Sequence, residues 1–139
     1  MLSVRCVLLG VLLFAASMTP SLIPRGPIVQ GILGGILISL GYLFGRTAEL
    51  IWRAADMPNL KGKLAFFLNT LLVGTTLSLT IVTILFHLDW QNDLRQKMGM
   101  EPAEAQYLTT ILVSALITFA IAFVTGILVS GVFKWIRAA

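Results

Sequence analysis

Charged side chains make up 12% of this sequence, about half the share of an ordinary soluble domain. A soluble fold of 139 residues needs a solvated outer face, and there is too little charge here to build one. Cysteine occurs once, as Cys6, and histidine once, as His87. A lone cysteine excludes an intrachain disulfide. One His and one Cys in separate apolar runs are too few for a metal, which needs several converging ligands. Neither a metal nor a cofactor is expected. The sequence also lacks a G-x-S-x-G nucleophile elbow, a GK[ST] phosphate loop and an H-E-x-x-H pair, so no residue is assigned to catalysis and the chain is not expected to be an enzyme. Its basic excess, 10 Lys and Arg against 6 Asp and Glu, is spread over the ends of apolar runs. That distribution orients helices in a membrane and does not form a nucleic-acid surface.

Apolar length is what the chain has in quantity. Hydrophobic residues are 58% of it, with a mean hydropathy of +0.94. Residues 6–24, 26–45, 64–88 and 105–133 contain no Asp, Glu, Lys or Arg, and a bilayer span needs about 20 mainly apolar residues. The runs are continuous and do not alternate as membrane β-strands do. The expected fold is an all-α integral membrane protein, a single domain over residues 1–139. It is a bundle of four transmembrane helices at about 2–18, 28–54, 64–88 and 103–136. A short interfacial segment is expected between helices three and four, where Leu94 and Met98 stand four apart. Helix one, with Arg5, an apolar run and an Ala15-Ala16-Ser17 exit, also has the form of a cleavable signal peptide. A retained span and a cleaved leader both remain open.

Pro20, Pro24 and Pro27 make the connector from Thr19 to Pro27 extended or turned, and Pro27 suits the first position of the next helix. On that helix Gly31, Gly34, Gly35, Gly41 and Gly45 share an arc of roughly 120°, with Tyr42 and Glu49 inside it. Ile32, Leu33, Ile36, Leu40, Leu43 and Phe44 lie opposite. Small residues let helix backbones approach in lipid, so the glycine face is expected to pack and the leucine face to meet acyl chains. Arg46, Glu49 and Arg53 extend the glycine face beyond the apolar run, as a solvated helix end or a docking surface for a cytoplasmic partner. On helix three, Asn69, Thr76, Thr80, Thr83 and His87 fall within about 60°. This seam fits either adhesion between helices or a polar track. Ser114, Thr118, Ala122, Gly126 and Ser130 recur at every fourth place on helix four.

Orientation follows from the basic residues. With the N-terminus inside, Arg5, Arg46, Arg53, Lys61, Lys63, Lys134 and Arg137 are cytoplasmic and Arg25, Arg95 and Lys97 are not. The bias favours N-in, C-in with four spans.

The run Thr19-Pro20-Ser21-Leu22-Ile23-Pro24-Arg25, followed by Gln30-Gly31, Gly34, Gly41-Tyr42 and Gly45, resembles the N-terminal membrane domain of a bacterial α/β-hydrolase family. In that family a multi-helix membrane segment precedes a serine-hydrolase-like domain. The resemblance implies the bacterial plasma (inner) membrane. It places an esterase-like activity in the part that would follow Ala139, so no family catalytic residue carries over. The first expectation for function is therefore a non-catalytic domain that anchors or positions an α/β-hydrolase domain or subunit at the membrane. One alternative is a small transporter or channel subunit using the helix-three seam and assembling as a homo-oligomer through the glycine face. Another is a lipid-binding protein in which Thr19, Pro20, Ser21, Pro24 and Arg25 contact a headgroup. Membrane lipids are expected partners and nucleic acid is not.

Overall fold

The computed structural model describes residues 4–19, 25–58, 62–104 and 106–138. Among them the chain forms four α-helices and no strand: α1 (Val4–Ser17), α2 (Pro27–Ala54), α3 (Gly62–Lys97) and α4 (Tyr107–Ala138). Helices α2, α3 and α4 are long and apolar enough to cross a membrane. Helix α1 has 14 residues and is about 21 Å long at 1.5 Å per residue, short of a hydrocarbon core of about 30 Å.

Local chemistry sets the helix ends. Pro27 opens α2, where its missing N–H is no loss, after an extended Gly26. The helix closes as the Ala55 N–H turns back to the Ile51 carbonyl at 2.9 Å, followed by Asp56 at a φ of 48°. Gly99, at a φ of 68°, stops α3 in the way a left-handed residue ends helices generally.

Two boundaries differ from the sequence reading. Helix α3 does not stop at 88, and no separate interfacial helix forms at Gln91–Met98; one helix runs unbroken to Lys97. Between Leu88 and Gly99 there is no glycine or proline to break it. Phe86 and Trp90 also stack across one turn with centroids 6.1 Å apart. Helix α4 begins at Tyr107, later than the expected 103. The backbone N–H of Ala103 is instead held by Asn92 Oδ1 at 2.8 Å, which ties the connector down against α3.

Helix α2 lies between α1 and α4, and α3 packs on the far side of α1. Helices α3 and α4 barely meet, and α2 does not pack against α3. The five glycines of α2 lie against these two neighbours. A Cβ on Gly41 would come within 2.5 Å of the Gly10 Cα, and one on Gly45 within 2.9 Å of Cys6. Toward α4, a Cβ on Gly31 would meet Ser114 and the Ile111 carbonyl, the latter at 2.7 Å, and one on Gly35 would lie 2.6 Å from the Ala115 carbonyl. Ile32, Ile36, Leu40, Leu43 and Phe44 are exposed on the other side.

The core gathers at one end. Phe14 and Met18 of α1 and its exit meet Tyr107, Ile111 and Ala115 of α4, with Ile38 and Leu88 against them. At the other end the first half of α3 and the second half of α4 expose nearly every apolar side chain, Phe66 and Trp135 among them. That splaying suits hydrocarbon surroundings, where association between helices has no hydrophobic drive.

Candidate functional site

The polar residues of the fold converge at the end where α1 stops and α4 starts. A helix ends with carbonyls that have no intrahelical partner, and the proline-rich segment after α1 offers few backbone donors to supply one. Three side chains from three other helices satisfy carbonyls on either side of that segment. Gln30 of α2 donates Nε2–H to the Ser17 carbonyl at 2.7 Å. His87 of α3 meets the Met18 carbonyl through Nδ1 at 3.0 Å. The Tyr107 hydroxyl of α4 donates to the Arg25 carbonyl. Residues Ser17, Met18 and Arg25 therefore hold α2, α3 and α4 together through backbone acceptors.

Each donor is taken out of solvent: His87 is 0% exposed, Gln30 3% and Tyr107 5%. A carbonyl can only accept, so Nδ1 of His87 carries the proton, and Nε2 is turned to the interior with no partner among the described residues. Above it on α3 stand Gln91, also buried, and Arg95, whose guanidinium lies over the Tyr107 ring at 5.5 Å. The His87 ring is 6.0 Å from the same tyrosine ring. Arg95 also donates Nη1–H to the Glu101 carbonyl at 3.1 Å.

The structure divides the expected site residues. Of the α3 seam, Thr76, Thr83 and His87 are buried, whereas Asn69 and Thr80 are half-buried. Thr80 donates its hydroxyl to Thr76 O and Thr83 to Leu79 O, each at 2.7 Å, so these two spend their hydrogen bonds on their own helix. Of the proline-rich motif, Thr19 is exposed and bonds back to Ala16 O, and Arg25 is exposed. Pro20, Ser21 and Pro24 lie outside the described residues. Arg46 and Glu49 pair at 2.7 Å on a partly exposed surface, and Arg53 is exposed on the same helix. Among the described residues no group of His, Cys, Asp and Glu is arranged to hold a metal. His87 points to the Met18 carbonyl, and Asp89, two residues on, is exposed.

Gln91, Arg95 and Tyr107 are the site residues that sequence reasoning missed. The first two continue the four-residue step of the seam past His87, a signal that was present in the sequence. Tyr107 carried none, because its partner is a backbone carbonyl 82 positions away.

No curated protein and no solved structure matches the chain. The sequence does match the family described as "Alpha/beta-hydrolase family N-terminus" over residues 18–139. That match starts at Met18, whose carbonyl His87 holds, and takes in the proline-rich segment and all three helices that donate to the polar cluster, α2 with its glycine face among them. The all-helical chain, which has no hydrolase fold among its described residues, belongs to the alpha/beta-hydrolase family N-terminus.

Proposed function

We propose that this chain is a non-catalytic membrane module that anchors and positions an α/β-hydrolase domain or subunit with esterase-like activity. The observation that carries the reading is family membership over residues 18–139 in a chain whose described residues form only helices. Three helices able to cross a bilayer and an outer surface of exposed Leu, Ile, Val and Phe support membrane insertion. In this reading α1 is a fourth, short span, the protein sits in the bacterial plasma membrane, and both termini are cytoplasmic. The distribution of basic residues supports that orientation. Arg46, Glu49 and Arg53 would then face the compartment in which a hydrolase partner docks, and membrane lipids surround the exposed leucine face of α2.

Transport along the α3 seam has less support, because Thr80 and Thr83 turn their hydroxyls to carbonyls of their own helix. The test is activity and association with the chain purified in lipid. It should hydrolyse no short acyl ester. It should also retain a co-expressed α/β-hydrolase domain of its family at the membrane after high-salt washing. Ester hydrolysis by the chain alone, abolished in Ser21→Ala, would defeat the reading.

A further inference from the structure

Three polar atoms on one face of α3 are buried without a hydrogen-bond partner among the described residues: His87 Nε2, Gln91 Oε1 and Arg95 Nε. They recur every fourth residue, so they line one stripe of the helix. Thr76 Oγ1, also without a partner, lies about three turns further along and is separate. The three atoms differ in kind. Because Nδ1–H of His87 is used on Met18, its Nε2 presents a lone pair. Gln91 Oε1 presents another, and Arg95 Nε is a charged donor. Arg95 forms no ion pair with a carboxylate among the described residues. Burying such groups unpaired is unfavourable, and three in a row on one stripe form a pattern that a ligand would complete.

The ligand that completes it must accept from a guanidinium and donate to two acceptors. We propose that His87, Gln91 and Arg95 form a binding site for a polyol phosphate, with the phosphate on Arg95 and the hydroxyls on Gln91 Oε1 and His87 Nε2. A glycerol phosphate lipid headgroup and a soluble glycerol phosphate share this chemistry. The proposal rests on the membrane insertion argued above. In that setting Arg95 and Lys97, in the last turn of α3, stand at the depth of headgroup phosphates. The Tyr107 ring lies against both ends of the stripe, beside His87 and Arg95.

The experiment uses the full chain in phosphatidylcholine nanodiscs, after sedimentation confirms that it has inserted. Phosphatidylglycerol is titrated in and retention is read by native mass spectrometry, with the ¹⁵N resonance of His87 Nε2 followed in parallel. Phosphatidic acid supplies the anionic phosphate without hydroxyls, and sn-glycerol 3-phosphate supplies the headgroup without the lipid. Saturable retention of phosphatidylglycerol over phosphatidic acid, with a moved Nε2 resonance, is expected. Gln91→Leu and Arg95→Leu should each weaken it about tenfold or more. Lys97→Gln, which removes a side chain already paired with Asp93 at 2.7 Å, should change it less than about twofold. Equal binding of glycerol 3-phosphate would support the polyol phosphate and assign it to the soluble pool. Equal retention of phosphatidic acid, or an unmoved Nε2 resonance in the wild type, would overturn the site while insertion stands. A chain that fails to enter nanodiscs would defeat both.

Discussion

The imidazole of His87 lies 3.0 Å from the carbonyl of Met18, a residue 69 positions earlier in the chain. This contact joins α3 to the end of α1, where His87 is the partner that the described residues give the Met18 carbonyl. Helix α3 packs mainly on α1 and meets α4 chiefly around Tyr107, so it has few other ways to fix its rotation. A buried bond of this kind contributes modestly when made, but leaving its acceptor unpaired costs about 1–3 kcal/mol.

His87→Leu should therefore lower stability by about 1–3 kcal/mol, since the Met18 carbonyl stays buried and loses its donor. His87→Gln keeps an N–H in reach and should recover part of that loss. Reversible unfolding in mixed detergent micelles measures both. A leucine variant as stable as the wild type would mean that the carbonyl finds another donor.

The glycine face of α2 gives a prediction in which two effects oppose each other. Alanine at Gly35 would gain up to about 1 kcal/mol of helix preference, but its Cβ would lie 2.6 Å from the Ala115 carbonyl and from Thr118 Cβ. Backbone on α4 cannot move aside as a flexible side-chain tip can, and overpacking costs about 1–3 kcal/mol. The clash should win, so Gly35→Ala should destabilise the α2–α4 pair. At Gly126 nothing lies within 4 Å of the added carbon, and Gly126→Ala should be neutral or slightly stabilising. The two variants, compared in one unfolding assay, separate helix propensity from close packing.

Much of the architecture was legible because hydrocarbon leaves a plain record. Runs free of charge marked α2, α3 and α4, and the shared arc of Gly31, Gly34, Gly35, Gly41 and Gly45 marked the flank of α2 where an added Cβ would collide. The end of α3 was not legible in the same way. Hydropathy reports where lipid stops, and α3 continues through Asp89, Gln91 and Arg95 because nothing there breaks a helix before Gly99. The three carbonyl clamps were illegible for a different reason. Their acceptors on Ser17, Met18 and Arg25 are backbone atoms, which every residue has, so Tyr107 did not stand out and Gln30 did so only as part of the family-like motif.

Those clamps also predict an order of effects. Tyr107→Phe removes only the hydroxyl that bonds Arg25 O and keeps the ring beneath Arg95, so it should cost about 0.5–1.5 kcal/mol. Tyr107→Ala removes the ring from the core as well and should cost about 3–5 kcal/mol. A phenylalanine variant as damaging as alanine would show that the hydroxyl, and not the ring, organises this end of the bundle.

Whether α1 crosses the bilayer can be argued from its register against α2. Helix α1 alone is too short to fill about 30 Å, yet it lies along α2 from Gly34, against Phe14, to Gly45, against Cys6. Gly45 is the last residue of the charge-free run, and Arg46 follows it. The first turn of α1 therefore reaches the level where α2 leaves the apolar layer, and Arg5, which is exposed, sits beside that boundary. In a Cys6→Ala background, Val4→Cys should resist a membrane-impermeant thiol reagent applied to intact cells, whereas Thr19→Cys and Gln96→Cys should react. Met57→Cys should be protected together with Val4→Cys. Labelling of Val4→Cys from outside, with Met57→Cys still protected, would leave α1 on the outer surface and reduce the spans to three.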